Sequence, residues 1–345
     1  MPSKNPPTGL PSQAIRNKNL RKSPVLTAET QKVIAKLKGL IGGSFITYWT
    51  SSGGSICQDD VMAMAQLLDQ KSTSSKTLGL FLKSDGGNPQ AALRLMHLFR
   101  NYFERIVLFA PFECASAGTM VALGCDEIHM GATSFLTAVD TSLKHELSPV
   151  DHGNNLVSVS QDEVMRIIRM WKENSTVQNP YPEIYKYLHP LVLGSLDRSS
   201  SLSIRICREL LGYHMKDKKR AEKISRDLNS SYPSHSYPIT AKEASRLGLN
   251  VKPLSDEVHN HLLQLNNLYS HMAQPLLTDF DQQNYHNNEI CNIIERDGVQ
   301  MYYQVDKDWH YRTEERRWTS LNDSSGWHKV SIAKGKSTDT RFYIR

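Results

Sequence analysis

The sequence predicts an α/β fold with a mainly parallel sheet, and three observations support this prediction. Short apolar strands alternate with helical segments between residues 45 and 130. The connections between successive strands are long enough for the right-handed helical crossovers that parallel pairing requires. The chain of 345 residues, with 39% hydrophobic and 22% charged residues, also has a globular composition. A wholly disordered, collagen-like or coiled-coil chain is thereby excluded.

The first half of the chain alternates between strands and helices. We expect structure to begin near Thr30, with a short helix through Leu40. Apolar residues then recur either in short runs, typical of buried strands, or at spacings of three and four, typical of helices. Pro89 opens one of these helices, because proline is favoured at the first helical position. The predicted elements, alternating from strand to helix, are 45–49, 59–70, 78–82, 89–102, 105–109, 115–124 and 127–130.

The second half of the chain is predominantly helical until its last fifty or so residues. The predicted helices are 161–172, 199–214, 217–228, 241–247 and 255–272. From about residue 298, Trp309, Trp318, Trp327 and several tyrosines are interleaved with charged and polar residues. We interpret this segment as a small β-rich appendage whose aromatic side chains supply its core. The alternative is an aromatic face that binds a partner.

The composition divides the chain into three parts. Residues 1–28 are rich in Pro, Ser, Asn and Lys and have no apolar periodicity, so we expect a disordered basic arm. Residues 29–275 form the main domain, and residues 276–345 form an accessory C-terminal segment. The net charge is +6, and five of the positive charges lie in the first 24 residues, which contain no acid. We interpret the arm as solvated and expect no nucleic-acid partner.

Several kinds of protein are disfavoured by what the sequence lacks. The five cysteines include no CxxC pair, and the N-terminus has no apolar signal segment, so we expect a reducing, cytoplasmic location. Pro111 and Glu113 interrupt the apolar stretch 106–125, which we interpret as a buried strand and helix rather than a transmembrane anchor. No histidine group has metal-ligand spacing, and no nucleotide-binding glycine loop follows a strand. We therefore expect no metal and no cofactor.

Two strand-to-helix turns are the candidates for the chemistry. The first, Ser-Asp-Gly-Gly at 84–87, follows the strand 78–82, and the second, at 114–119, follows the strand 105–109. Backbone N–H groups at the start of a helix are unpaired and bind negative charge. Neighbouring parallel strands end at the same edge of a sheet, where open α/β folds place their sites. The two turns are therefore expected to lie side by side.

Ser116 in the second turn is a candidate nucleophile for a carbonyl substrate placed between the turns. Its Oγ can attack the carbonyl carbon, while the N–H groups of Gly86 or Gly87 and of Ala117 hold the tetrahedral oxyanion. The glycines have a physical role, because the absence of a side chain lets the backbone approach the substrate closely. The pattern predicts acyl transfer by a serine. Two βα turns with no catalytic role are the alternative at this point.

The sequence around the two turns, together with three later segments, resembles the serine dehydrogenase proteinase family. That family is similar to signal peptide peptidase A and to the catalytic subunit of the Clp protease. The matching segments are 82–87, 115–131, 189–194, 198–203 and 232–240. The resemblance covers roughly residues 40–255. It implies a Clp/crotonase-like spiral of β-β-α units, a serine peptidase activity on polypeptides, and assembly as a homo-oligomer.

The resemblance also implies roles for individual residues. Ser116 takes the position of the nucleophile, Gly86 and Gly87 form the glycine pair of the oxyanion turn, and Ala117 supplies the second N–H group. Asp85 departs from the family pattern, in which a proline precedes the glycine pair. A carboxylate at this position opposes the charge that develops on the oxyanion unless it points away.

Three residues are candidates for the general base. The resemblance places Asp140 where the Clp subunit has its catalytic histidine. An aspartate with an ordinary pKa of about 4 is a poor base for a serine hydroxyl. His235 lies just before the segment where that subunit has its third triad residue. A Ser116–His235–Asp140 arrangement is therefore one hypothesis, and a histidine that only packs or caps its loop is the other. Lys144 is an alternative base.

The sequence supports first a serine hydrolase, most simply a peptidase, that forms an ester at Ser116. The second hypothesis is a catalytically weak or inactive family member that acts as an oligomeric binding or assembly protein, which Asp85 and the unidentified base favour. The third is acyl-CoA chemistry on the same fold, which needs no serine nucleophile. A covalent phosphonate adduct at Ser116 separates the first hypothesis from the other two.

Overall fold

A mixed α/β structure is built around one large sheet. The computed structural model describes residues 20–68, 75–140, 142–151, 156–174, 179–333 and 336–344. Residues 1–19, the greater part of the predicted basic arm, lie outside the described residues.

Ten helices and fifteen strands are present among the described residues. The helices are α1 (Thr27–Ile41), α2 (Gln58–Leu68), α3 (Pro89–Tyr102), α4 (Ala117–Leu123), α5 (Gln161–Asn174), α6 (Tyr181–Ile184), α7 (Pro190–Leu211), α8 (Lys218–Ser230), α9 (Ala241–Leu247) and α10 (Asp256–Met272). The strands are β1 (Ser44–Thr50), β2 (Thr77–Lys83), β3 (Arg105–Ala110), β4 (Glu113–Cys114), β5 (Glu127–Met130), β6 (Phe135–Leu136), β7 (Ser142–Leu143), β8 (Val159–Ser160), β9 (Val251–Pro253), β10 (Leu276–Asp279), β11 (Asn284–Arg296), β12 (Val299–Arg312), β13 (Arg317–Asp323), β14 (Gly326–Ala333) and β15 (Lys336–Phe342).

The central sheet is mixed rather than mainly parallel. Its main path has the order β15-β14-β12-β11-β1-β2-β3-β5-β9, with β10 beside β11 and β13 beside β12. The strands from β1 to β9 in this order pair in parallel. The C-terminal strands pair antiparallel with one another, and β11 pairs antiparallel with β1. The parallel sheet predicted from residues 45–130 therefore holds for the strands of that segment. The strands after β10 were predicted only as a β-rich appendage, and they pair antiparallel because short turns rather than crossover helices join them.

Both faces of the parallel half of the sheet are buried. Leu80 and Leu82 pack into one cluster with apolar residues of α2, α3, α4 and α7. Phe81, between them, points to the other face and packs with apolar residues of α1 and α10. Alternate residues of a strand face opposite sides. The continuous apolar run in β2 is therefore what a strand buried on both faces requires.

The sheet continues across the predicted domain boundary at residue 275. β11 pairs with β1 over five residue pairs, from Ile46 opposite Arg296 to Thr50 opposite Asn292. Ile290, Ile293 and Ile294 of β11 are fully buried. The C-terminal strands thus extend the central sheet instead of forming a separate module, although the composition of their sequence differs from the rest.

The last residues of the predicted arm contact the same C-terminal strands. The Arg21 N–H donates to Thr278 Oγ1 at 3.1 Å, and the Ser23 N–H donates to Asn288 Oδ1 at 2.9 Å. α1 then begins at Thr27, three residues earlier than predicted. Structure within the described residues therefore begins inside the segment 1–28.

A buried carboxylate ties the helices of one face to the C-terminal strands. Glu295 of β11 is fully buried and accepts hydrogen bonds from Thr30, Gln31, Tyr269 and Gln300. Burial raises the pKa of Glu295, while these hydrogen bonds act in the opposite direction. Because its partners come from α1, α10 and β12, the carboxylate fixes both helices against the sheet.

The apolar stretch 106–125 and the cysteines were both predicted to lie in the core. The stretch 106–125 contains most of β3 and all of β4 and α4, as a buried strand and helix. Four of the five cysteines are buried, and Cys57 is partly exposed. No helix among the described residues is long and apolar enough to cross a membrane.

A cut in the turn between β10 and β11 tests whether the C-terminal strands belong to the body of the protein. We expect a protein with a protease recognition site inserted within residues 280–283, an exposed turn, to be cleaved without separating into two pieces. The backbone pairing of β11 with β1 and its buried isoleucines hold the pieces together. Size-exclusion chromatography before and after denaturation measures this. Elution of a folded N-terminal piece alone, in native buffer, contradicts it.

Candidate active site

Ser116 lies in a strained turn between a strand and a helix. It follows β4 and caps α4 with φ 50° and ψ −112°. Among the described residues only Ser116 and Arg316 have a positive φ without being glycine. Such a conformation costs on the order of 1–3 kcal/mol and persists only where the surrounding structure imposes it. A sharp strand-to-helix turn of this kind exposes the side chain of a nucleophilic serine.

The Ser116 turn is held from one side by Thr137. The Ser116 N–H donates to Thr137 Oγ1 at 2.8 Å. The Thr137 N–H in turn donates to Thr119 Oγ1 in the first turns of α4. The sequence offered no signal for Thr137, because it lies 21 residues from Ser116 with no motif around it.

The two predicted turns lie side by side, as expected. The Ala115 N–H donates to Ser84 O at 2.9 Å, and the Ser84 N–H donates to Glu113 O at 3.0 Å. Gly86 has φ 111°, and a Cβ there would come within 2.7 Å of Ser116 Cβ. A side chain at residue 86 is therefore incompatible with the position of the serine.

The second glycine of the pair is equally constrained. Gly87 has φ 145°, and a Cβ there would lie 2.3 Å from the carbonyl oxygen of Ile56. Ile56 and Gly87 form a parallel β-bridge. The glycine turn is thus enclosed between the Ser116 turn on one side and the Ile56 backbone on the other.

The three backbone N–H groups predicted to bind the oxyanion, those of Gly86, Gly87 and Ala117, differ in whether they already have a hydrogen-bond partner. The Gly86 N–H donates to Ser84 Oγ at 3.1 Å, so this donor already has a partner. The Gly87 and Ala117 N–H groups make no hydrogen bond with any residue that the structure describes. Ala117 is the first residue of α4, where backbone N–H groups lack an intrahelical partner. Of the three N–H groups assigned to the oxyanion from the sequence, those of Gly87 and Ala117 are therefore unpaired in the described part of the chain.

Asp85 is exposed to solvent beside this turn. Its carboxylate makes no hydrogen bond or ion pair within the described part of the chain. Water screens an exposed charge, so the electrostatic opposition expected from this residue is weakened.

Asp140 and His235 are in contact, although 95 residues separate them in the sequence. His235 Nδ1 lies 2.7 Å from Asp140 Oδ1. The hydrogen bond to Asp140 raises the pKa of His235, and burial of the ring opposes this rise in part. The side chain of Asp140 is 15% exposed and that of His235 is 50% exposed. The carboxylate is thus placed to fix the ring and to stabilise its charged form.

One short segment connects this pair to the Ser116 turn. Thr137, which accepts the Ser116 N–H, is three residues before Asp140, so their Cα atoms are at most about 11 Å apart. This segment, 136–140, is joined to the chain that follows His235 by two backbone hydrogen bonds between Leu136 and Ile239. Among the described residues, Ser116 Oγ has no hydrogen-bond partner. The segment 136–140 therefore links the Asp140–His235 pair to the Ser116 turn, with no direct His235–Ser116 hydrogen bond among the described residues.

Lys144 is exposed immediately after β7. Within the described ranges it makes no hydrogen bond or ion pair with Ser116, Asp140 or His235. Likewise, no group of three or more His, Cys, Asp or Glu side chains in those ranges is arranged to hold a metal ion.

Comparisons with known proteins give weak similarities. No protein-family model matches the chain. An uncharacterized protein of Methanocaldococcus jannaschii is 24% identical over 186 residues, which cover 51% of this chain and 54% of that protein. The chain thus spans about half the length of this curated relative.

Two similar solved structures are proteases. A mutant of the 1510-N membrane-bound stomatin-specific protease, in complex with a substrate peptide, is 16% identical with a TM-score of 0.38, covering 65% of this chain and 81% of that one. ClpP1 from Listeria monocytogenes is 13% identical with a TM-score of 0.35, covering 68% and 99%. At these TM-scores the similarities carry no argument about this chain.

Substitution of Gly86 tests the close approach of the two turns. We expect Gly86→Ala to lower the free energy of unfolding by about 1–3 kcal/mol or more, because the methyl group meets Ser116 Cβ and the backbone has a positive φ. Gly194→Ala is the matched control, since a Cβ at that helical position meets nothing within 4 Å. It should raise the free energy of unfolding by about 0.5–1 kcal/mol. Urea denaturation measures both, and equal stability of the two variants contradicts the geometry.

Proposed function

We propose that this protein is a serine hydrolase of the peptidase type that acts through an acyl-enzyme at Ser116. The observation that carries the proposal is the strained Ser116 turn packed against Gly86, with the Gly87 and Ala117 N–H groups unpaired in the described part of the chain. A nucleophile needs an exposed side chain and preorganised donors for the oxyanion. The half-buried Ser116 in its strained turn and the two unpaired N–H groups support the proposal on both points.

The acylation step uses a nucleophile, a base and two N–H donors. Ser116 Oγ forms a bond to the carbonyl carbon while its proton passes to Nε2 of His235. The carbonyl oxygen becomes an oxyanion held by the N–H groups of Gly87 and Ala117. When the intermediate collapses, the C–N bond breaks and the leaving amine takes the proton from His235. Water then cleaves the ester by the same steps in reverse order.

His235 is the preferred base among the three candidates. Its Nδ1 is engaged by Asp140, which leaves Nε2 to accept the serine proton. Asp140 acts as the orienting residue and stabilises the imidazolium ion. For the proton to transfer, the His235 ring has to approach Ser116 Oγ, and such catalytic hydrogen bonds are often long before substrate binds. Lys144 remains the alternative base.

The substrate class and the assembly state follow from the sequence resemblance. We propose a polypeptide substrate and a homo-oligomer, since these are the properties of the family that the motifs resemble. The cytoplasm is the proposed location, because the cysteines are unpaired. The competing hypothesis is an inactive protein that binds or assembles. It is favoured by the missing hydrogen bond between Ser116 Oγ and any base in the described ranges.

Covalent labelling separates an enzyme from an inactive scaffold. We expect a fluorophosphonate to label Ser116, forming an Oγ–P bond with loss of fluoride, because the two N–H donors stabilise the attacked phosphonyl oxygen. Intact-mass and peptide mass spectrometry locate the adduct, and Ser116→Ala is the control. Absence of labelling at every pH supports the scaffold, and equal labelling of Ser116→Ala places the nucleophile elsewhere.

The pH dependence of labelling identifies the base. His235 is a base only when neutral, and the hydrogen bond to Asp140 raises its pKa above the ordinary value of about 6.5. We therefore expect the labelling rate to rise with pH through a midpoint above 6.5. Asp140→Asn should move this midpoint down and slow labelling by about 10²-fold or more. An unchanged profile in His235→Ala, with loss of labelling in Lys144→Ala, assigns the base to Lys144.

A further inference from the structure

The glycine turn is supported on its far side by the backbone of Ile56. The Ile56 N–H donates to Gly86 O, and the Asn88 N–H donates to Ile56 O, both at 2.8 Å. These two bonds enclose Gly87 and set the plane of the peptide group that carries its N–H. The direction of the Gly87 N–H therefore depends on where the segment 54–57 lies.

A buried carboxylate fixes one end of the segment 54–57. Asp60 is fully buried, and its Oδ2 accepts the Cys57 N–H and the Tyr48 hydroxyl, both at 2.6 Å. Burial raises the pKa of Asp60 to about 6, so the group is ionised in neutral and alkaline solution. An ionised carboxylate accepts hydrogen bonds strongly, and it fixes Cys57, which directly follows Ile56.

Asn292 of β11 fixes the other side of this segment. Its Nδ2 donates to the carbonyl oxygen of Ser55 and to Asp60 Oδ1, both at 2.8 Å. Asn292 is 4% exposed. Gly54 lies against the same residue, since a Cβ at Gly54 would come within 2.4 Å of Asn292 Oδ1. One amide thus binds the residue before Ile56 and the carboxylate that holds the residue after it.

We infer that Asn292 is a positioning residue for the oxyanion site: through Ser55 and Asp60 it holds the segment that aims the Gly87 N–H. The inference rests on the proposed function. It gives the C-terminal strands a part in the chemistry that the sequence did not indicate. A missing amide leaves the Ser55 carbonyl and one carboxylate oxygen without a partner, so the segment shifts and the donor moves with it.

A displaced Gly87 N–H should slow the covalent step of labelling and leave the binding of the reagent nearly unchanged. Removal of one oxyanion donor costs about 10²–10³-fold in rate. A displaced donor is expected to cost less, so we predict that Asn292→Ala lowers the maximal rate of fluorophosphonate labelling about 10–100-fold. The concentration for half-maximal labelling should change less than about threefold, because the reagent binds before the oxyanion geometry is used.

Asn288 supplies a matched control on the same strand. It is 1% exposed, and its Oδ1 accepts hydrogen bonds from the Ser23 N–H and from Gln304, both at 2.9 Å. It makes no hydrogen bond to the segment 54–57 among the described residues. Asn288→Ala should lower the melting temperature as Asn292→Ala does and keep its maximal labelling rate within about twofold of the wild type.

The experiment measures the labelling rate against reagent concentration and the melting temperature in the full chain. Tyr48→Phe, which removes a single hydroxyl from Asp60, is the milder variant if Asn292→Ala does not fold, with an expected loss of about 3–10-fold. Equal slowing of the Asn288 and Asn292 variants, or no slowing of the latter, overturns the inference while Ser116 labelling of the wild type upholds the proposed function. A wild type that is not labelled overturns both.

Discussion

The close approach of two backbone turns is the constraint on which the site depends. Gly86 faces Ser116 and Gly87 faces Ile56, in both cases at distances that exclude a Cβ atom. Both glycines have a positive φ, which glycine adopts at little steric cost. Ser116, on the other side of this contact, also has a positive φ, which is strained for a residue with a side chain. If either turn moved outward, the contacts that hold the glycine pair between Ser116 and Ile56 would be lost.

The sheet explains how this contact is maintained. Its strand β2 leads into the glycine turn, and an isolated parallel bridge between Ser84 and Cys114 joins this turn to β4, which lies outside the sheet. The two turns thereby share backbone hydrogen bonds. The antiparallel half of the sheet adds β11 beside β1, and β11 carries both the buried Glu295 that fixes two helices and the Asn292 that reaches the Ile56 segment. The C-terminal strands therefore extend the core, and through Asn292 they also contact the segment that is hydrogen-bonded to the glycine turn.

The sequence predicted the parts of the fold that depend on local patterns. Apart from the two-residue strand β4, the elements from β1 to β5 were found to within a few residues, because apolar runs and helical spacing are local signals. Turn chemistry indicated Ser116 and the glycine pair as candidates, and their catalytic role stays a prediction. β11 was not predicted, because its first half, from Asn284 to Glu289, is polar and lacks the apolar pattern of a buried strand. Its burial comes instead from pairing with β1 and β12. Thr137 and Asn292 act over long separations, and the Asp140–His235 contact was proposed only through the family resemblance. The spiral arrangement of β-β-α units stays a prediction.

A crystal structure of the phosphonate-treated protein tests the central claim most directly. The account predicts phosphorus bonded to Ser116 Oγ, with one phosphonyl oxygen about 2.7–3.1 Å from both the Gly87 and the Ala117 nitrogen. The His235 ring should remain hydrogen-bonded to Asp140 beside the adduct. A phosphonyl oxygen that faces solvent, or that binds other donors while the two N–H groups stay unpaired, contradicts the assignment of this turn as an oxyanion site.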